Sequence, residues 1–452
     1  MIVCGTVHMQ PLEGGIMPSW VADAIWWQVH PLGFVGAEPA APPAGELHHR
    51  LPHLHRWLDH LLRLGCNGLA LGPVFASGTH GYDTVDHFRV DPRLGDDADF
   101  DALVAAAHER GIRILLDGVF NHVGRDHAAF RAVVEHGPDA PTANWFRLRW
   151  PTGWAPGTAP DTDVFEGHDI LVELDHDQPA VADLVTRVMI HWLDRGADGW
   201  RLDAAYAVPP AFWARVLPAV RTAHPDAYVV GEVIHGDYAR LVADGGLDAV
   251  TQYELWQAIW HGIAERNLFE VAWSLKRHAT FLESFVPWTF VGNHDVTRIA
   301  SQLPDARHLP HALAVLFTVG GTPAVWSGDE HGFRGVKEQR AGGDDAIRPR
   351  FPDDPSELSP LGSPTFALHQ ELISLRRRHR WLHTAAPEQV HVANEQLVYA
   401  VAADRQQLLV ALNIAGTATR VPVPGAGTVL AGTATVGHDH IELPAHGWAV
   451  LT

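Results

Sequence analysis

Eight short apolar runs, each followed by a longer amphipathic stretch, constrain this chain most: AIWWQVH (24–30), NGLALG (67–72), IRILLDGV (112–119), ADGWRLD (197–203), AYVVGEV (227–233), LDAVTQY (247–253), PWTFVGN (287–293) and TPAVWSG (322–328). Short apolar runs separated by helix-length segments are the pattern of βα units around a parallel sheet buried on both faces. Eight in succession predict an α/β fold, a closed (β/α)8 TIM barrel. The segment 97–110 reads as one of its helices, opening on acidic residues and closing at Arg110-Gly111. At 452 residues the chain has room for one large domain and a smaller one.

Two stretches break the rhythm. Between His122 and Leu171 no barrel strand occurs, only a segment rich in Pro, Gly, Thr and Trp. So long an excursion after the third strand predicts an inserted subdomain over the barrel mouth, residues 122–171, dividing the barrel into 1–121 and 172–385. After RRRHRWLHTA (376–385) the texture changes to short alternating strands such as QLVYAVAA and QLLVALNI, which predicts a C-terminal antiparallel β domain over 386–452. Residues 1–16 precede Met17 and the first convincing strand, and are expected to be a poorly ordered upstream extension.

With 46% hydrophobic and 19% charged residues the chain can bury a large core. No apolar run approaches the ~20 residues of a membrane span, so no membrane partner is expected. Acidic residues outnumber basic ones 53 to 33, a net charge of −20 that repels nucleic acid. Cys4 and Cys66 stand far apart, and the segment before Trp20 lacks a secretory start, so the expected compartment is the cytoplasm. The 17 tryptophans are read mainly as packing, with sugar stacking as a weak second meaning. Among the 31 histidines, the run HHRLPHLHRWLDH (48–60) puts His49 and His53 four apart. Without a HExxH pattern it is expected to be a solvated, titrating helix face.

The chemistry of such barrels sits at the C-terminal ends of the strands. Here they end in DGVFNH (117–122), GWRLDAAY (199–206), GEVIH (231–235) and GNHDVTR (292–298), so Asp203, Glu232 and Asp295 converge on one mouth. A lone Asp there would be read as a helix cap; three carboxylates from separate strands, with Arg and His beside them, are not expected of caps.

These segments resemble the conserved regions of the α-amylase superfamily, glycoside hydrolase family 13, in the right order over nearly the whole chain. LGPVFASGTHGYDTVDHFRVDPRLG (71–95), VELDHD (172–177) and GTPAVWSGDEHGF (321–333) are similar to further motifs of that family. The resemblance implies a nucleophile at Asp203, a general acid/base at Glu232 and a transition-state-stabilising carboxylate at Asp295. It makes His122 and His294 contacts to the sugar hydroxyls, Tyr82 a stacking platform, and Asp83 with Arg348 the pair closing the far side of the first subsite. Cleavage with retention needs a nucleophilic and an acid/base carboxyl about 5 to 5.5 Å apart. Arg201, two residues before Asp203, is expected to keep it ionised, while Asp295 and a desolvated cleft keep Glu232 protonated.

No cofactor is required by that chemistry. Asn121 matches a family position that often holds structural calcium, for which Asp161, Asp163 and Asp169 are the clustered candidates for further oxygen ligands. The first-strand loop lacks the Asp/Asn-rich run by which relatives bind a metal.

Most similar is the cyclomaltodextrinase, neopullulanase and maltogenic amylase branch, which implies an oligosaccharide substrate, short linear or cyclic α-glucans. Its usual N-terminal carbohydrate-binding domain is not seen, which leaves a homo-oligomer open. After the nucleophile the chain reads Ala204-Ala205-Tyr206-Ala207, and Ile234 follows Val233 where an aromatic is common. Tyr206 and His235 are the candidate substrate contacts on this leaving-group side. Three readings stand: a retaining hydrolase of α-1,4 bonds, with α-1,6 bonds as a further target, in short maltooligosaccharides, a transglycosylase or isomerising enzyme such as a trehalose synthase, and a non-catalytic binding relative.

Overall fold

A computed structural model describes residues 17–43, 46–151, 153–340, 342–403 and 405–452. The expected extension at 1–16 and Cys4 lie outside the described residues.

All eight apolar runs form parallel strands: β1 (Trp26–Val29), β2 (Gly68–Leu71), β3 (Arg113–Gly118), β4 (Gly199–Leu202), β5 (Tyr228–Gly231), β6 (Ala249–Val250), β7 (Trp288–Phe290) and β8 (Thr322–Trp326). They pair in the order β6-β5-β4-β3-β2-β1-β8-β7. A parallel bridge between Thr251 and Trp288 joins the two ends, so the barrel closes.

Alternation along each strand sorts the residues into two cores. Trp27, Leu69, Ile114, Trp200, Val229 and Val325 point outward under the helices. Trp26, Ala70, Leu115, Tyr228, Trp288, Phe290 and Ala324 fill the barrel. Trp26 stacks between Tyr228 and Trp288 at centroid distances of 6.3 and 5.4 Å. Gly68 makes room for it, since a Cβ there would come within 2.3 Å of the indole. Seven tryptophans, at 26, 27, 57, 192, 200, 213 and 326, are among the largest fully buried side chains, so packing absorbs much of the indole excess.

The helix expected over 97–110 runs from Asp97 to Glu109, held by a capping box between Asp96 and Asp99. The histidine run differs from its expected role. His53 and His60 are buried, His53 Nε2 lies 2.6 Å from the Pro352 carbonyl, and His49 precedes the short helix Leu51–His55 and pairs with Asp99 instead. Apolar neighbours on both sides, Trp57 and Phe34 among them, draw these imidazoles inward.

After β3 the chain leaves the barrel through a ribbon of His122–Gly124 paired with Leu171–Glu173. Between these strands lie the helix Ala128–His136 and a second short ribbon. From Ala386 the chain forms a five-stranded antiparallel sheet, with a three-stranded sheet beside it. Tyr399 Oη and Thr318 Oγ1, 2.8 Å apart, and His311 Nε2, near the Asn413 and Gly447 carbonyls, tie these strands to the helix Leu309–Thr318. Among the described residues no helix is long and apolar enough to cross a membrane.

Candidate active site

Above the apolar filling, the next inward positions of the strands are polar. Gln28, Asp117 and Arg201, and beyond them Asp203 and Glu232, are all buried. Parallel pairing of Leu202 with Gly231 sets Asp203 beside Glu232 on neighbouring strands. One guanidinium serves three carboxylates: Arg201 lies 2.6 Å from Asp117, 2.7 Å from Glu232 and 3.4 Å from Asp203.

This wiring departs from the expected arrangement, in which Arg201 serves Asp203 first. Its short contacts go to Asp117 and Glu232. Burial, then the charge of Glu232, pushes the Asp203 carboxyl well above the usual carboxylate range, against the pull of Arg201.

Glu232 is positioned by further donors. The Ala204 N–H reaches Oε2 at 3.1 Å, and the Tyr253 hydroxyl reaches Oε1 at 3.1 Å while accepting from Asn293 Nδ2 at 2.8 Å. Ala204 sits at a φ of 46°, a left-handed conformation uncommon for a residue with a Cβ, so the turn after Asp203 is strained where it meets Glu232.

Asp295 lies across the mouth. His294 Nε2 is 2.7 Å from Oδ2, and Arg348 donates to Oδ1 at 2.8 Å and to the His294 carbonyl at 2.9 Å. Desolvation opposes its charge, but His294, Arg348 and Lys337 outweigh it and hold the carboxyl well below the usual range. The Tyr82 hydroxyl meets His294 Nε2 and donates to Asp117 at 3.2 Å, its ring parallel to that of His294. His122 Nε2 contacts the Tyr82 carbonyl, and burial keeps this imidazole neutral, its pKa lowered to about 3.

A cleft of about 1160 Å³ opens on Tyr82, His122, Asp203, Glu232, Asp295 and Arg348 together. The inserted subdomain supplies one wall through Phe165, stacked on His122 at 4.8 Å, and through Glu166, which accepts from the Tyr206 hydroxyl at 2.7 Å. His235 is exposed and stands behind Tyr206, with ring centroids 5.2 Å apart, rather than in the cleft wall.

Two expected arrangements are not assembled. Asp83 does not pair with Arg348: it accepts from the Thr79 N–H and hydroxyl at 3.0 and 2.9 Å, while Arg348 pairs with Asp344 at 3.0 Å as well as with Asp295. A tight turn satisfies Asp83 locally, and a carboxylate four residues before the arginine replaces it. The calcium set also fails to converge. Asn121 Nδ2 faces His122 Nδ1 at 3.2 Å, Asp163 pairs with Arg149, and Asp161 and Asp169 are exposed. These residues do not form an oxygen-rich cage.

Residues the sequence reading passed over also shape the cleft. His30 ends β1, Tyr253 follows β6 and Asn293 follows β7, so strand-end position would have found them. Glu166 has no such signal.

Comparison with known proteins places this architecture. Residues 51–357 match the family model described as alpha amylase, catalytic domain. A cyclomaltodextrinase from a Bacillus species is 32% identical over 433 residues, covering 90% of this chain and 75% of its own. Neopullulanase 2 of Thermoactinomyces vulgaris is 30% identical, over 80% of this chain and 64% of its own. Among solved structures, a debranching enzyme from Nostoc punctiforme superposes with a TM-score of 0.83 at 26% identity, covering 97% of this chain and all of its own. Cyclic alpha-maltosyl-(1→6)-maltose hydrolase from Arthrobacter globiformis gives 0.80 at 27% identity, covering 96% and 99%. The barrel, its strand-end carboxylates and the match across most of its length together mean that this chain belongs to the α-amylase family of glycoside hydrolases.

Proposed function

We propose that the protein is a retaining hydrolase of α-1,4 and α-1,6 glucosidic bonds in short linear or cyclic maltooligosaccharides. The observation carrying the mechanism is the placement of Asp203 and Glu232 side by side on paired parallel strands. Neighbouring strands run about 4.8 Å apart, a spacing that supports the close nucleophile and acid/base pair of a retaining enzyme, whose carboxyls stand ~5 to 5.5 Å apart.

In the first step an Asp203 oxygen attacks the anomeric carbon as the bond to the leaving oxygen breaks and Glu232 gives that oxygen its proton. In the second, Glu232 takes a proton from water, whose oxygen displaces Asp203 and restores the starting configuration. These steps require Asp203 ionised and a proton on the leaving-group oxygen's donor. Asp295, held ionised by His294 and Arg348, faces the positive charge developing on the ring. Tyr82 and His122 supply a stacking face and a neutral hydrogen-bonding edge.

The substrate class is supported by the relatives: two named for cyclic sugars, one of them with a 1→6 linkage, and a debranching enzyme. The test is a product-resolved assay on cyclodextrins, mixed-linkage cyclic tetrasaccharide, maltotriose, pullulan, starch and trehalose, with the anomer followed by NMR. Release of α-anomeric short sugars from the cyclic and short substrates ahead of starch is expected. β-Anomeric products would overturn retention, and re-linked sugars without new reducing ends would move the protein to the transferase reading. Asp203→Asn is expected to abolish turnover with the fold intact. Glu232→Gln is expected to spare aryl glycosides with good leaving groups relative to unactivated ones.

A further inference from the structure

The loop after β8 carries a second cluster of chemistry that faces away from the cleft. Gly328-Asp329-Glu330-His331 turns outward, and its last two residues meet His60 on the helix Leu58–Leu64 of the first βα unit. His60 Nε2 lies 3.1 Å from Glu330 Oε1. The His60 and His331 rings are nearly parallel, 24° apart, with centroids 5.5 Å apart. One ligand atom from each of the three side chains falls within 4.8 Å of the other two.

Two features of this cluster are unexplained by packing. Glu330 is fully buried, and its side chain meets His60, the Gly328 N–H at 2.8 Å and its own backbone N–H, with no lysine or arginine bonded to it among the described residues. A buried carboxylate without a cationic partner is costly. His331 is packed against Phe366, and neither of its ring nitrogens has a hydrogen-bond partner. An imidazole has one donor and one acceptor to satisfy in its neutral form.

We propose that His60, Glu330 and His331 bind a zinc ion at the seam between the first and last βα units. Two imidazoles and one carboxylate are a His2Glu donor set, which takes tetrahedral zinc with water as the fourth ligand. Bonds of about 2.0 to 2.1 Å at tetrahedral angles put neighbouring ligand atoms about 3.3 Å apart, close to the observed His60 to Glu330 separation. The cation supplies the positive charge Glu330 lacks and gives His331 a partner. His331 is only half-buried as a residue, and its two ring nitrogens face inward.

Two other clusters of this kind exist among the described residues, and their carboxylates are already engaged. Asp305 pairs with Arg307 and caps the turn after it, and Asp99 belongs to the capping box of the helix Asp97–Glu109. They serve as controls. Arg63 places a positive charge near His331 and works against the ion.

The test uses the untagged full chain, stripped with chelator and titrated with zinc chloride against a chromogenic competitor. Wild-type protein is expected to hold one zinc at least tenfold more tightly than His331→Gln, and its Tm is expected to rise with zinc where that of the variant does not. His446→Gln and His49→Gln keep the tight site, and Arg63→Gln tightens it. Cobalt added in place of zinc gives the intense visible bands of a tetrahedral site. Equal zinc affinity in wild type and His331→Gln, or loss of the tight site in His446→Gln, overturns the assignment. Should Glu330→Gln fail to fold, the half-buried His331 variant still decides.

Discussion

The hydrogen bond between Tyr206 and Glu166 joins a residue three positions after Asp203 to the inserted subdomain. Burial, then Glu166, pushes the Tyr206 hydroxyl further above its ordinary range, so it stays a donor. On the proposed reading, in which the two groups act through one bond on the leaving-group side, Tyr206→Phe and Glu166→Gln are each expected to change the ratio of α-1,4 to α-1,6 cleavage. The double variant should change it no more than either single one. Additive effects in competitive digestion of linear and branched oligosaccharides would show that they act separately. Residues of this kind mark where sequence stops being informative. Asp203 and Glu232 are legible because they end strands and share the inward parity of Arg201. Glu166 is not, since it sits in a loop at a φ of 48° that no residue pattern announces. Asp83 and Arg348 show the converse case: a family pattern pairs them, but Thr79 and Asp344 lie closer in the chain and take their bonds.

Whole elements were easier to read than side-chain partners. Each barrel strand is short, apolar and flanked by helix signals, so all eight fall within the expected runs even where pairing is thin, as in two-residue β6. The histidine-rich run departs from its expected exposure because imidazole is neither reliably polar nor apolar; its burial is decided by Trp57 within the run and by Phe34, which packing brings from the segment after the first strand. Strand β2 depends on a glycine. Gly68→Ala places a methyl against the Trp26 indole, which is itself clamped between Tyr228 and Trp288. Such overpacking is expected to destabilise by about 1 to 3 kcal/mol, seen as a lower urea midpoint with an unchanged slope. An unmoved midpoint would mean that the barrel filling is looser than these contacts describe.

For the molecule as a whole, the histidine content has a stability consequence. Burial lowers His122 and His127 to about 3, and His278, His311 and His383 to about 4. In the unfolded chain the same groups take protons near pH 6.5. Below that pH the unfolded state binds more protons, so stability falls as pH drops from 6.5 toward 4, by about 1 kcal/mol per group per pH unit. Carboxyls shifted upward, Asp117, Asp203, Asp248 and Asp329 among them, act in the opposite direction, while further buried imidazoles such as His30, His87 and His176 add to the histidine effect. Urea midpoints measured at pH 7.5, 6.5 and 5.5 are expected to fall modestly between the first two and more steeply between the second and the third. Equal midpoints at all three would contradict the buried neutral histidines.

The barrel is closed by pairing its first strand with its last, Trp26 with Ala324, nearly three hundred residues later in the chain. As the chain leaves the ribosome, β1 therefore waits with one edge unpaired and its indoles uncovered until β8 has been made. Arg348, which holds Asp295 in place, emerges later still. Such long-range closure is slow and exposes an aggregation-prone edge meanwhile. The enzyme's active site is in this sense a product of the end of synthesis: the floor of its cleft is written in the first strand and completed only by residues near the close of the barrel.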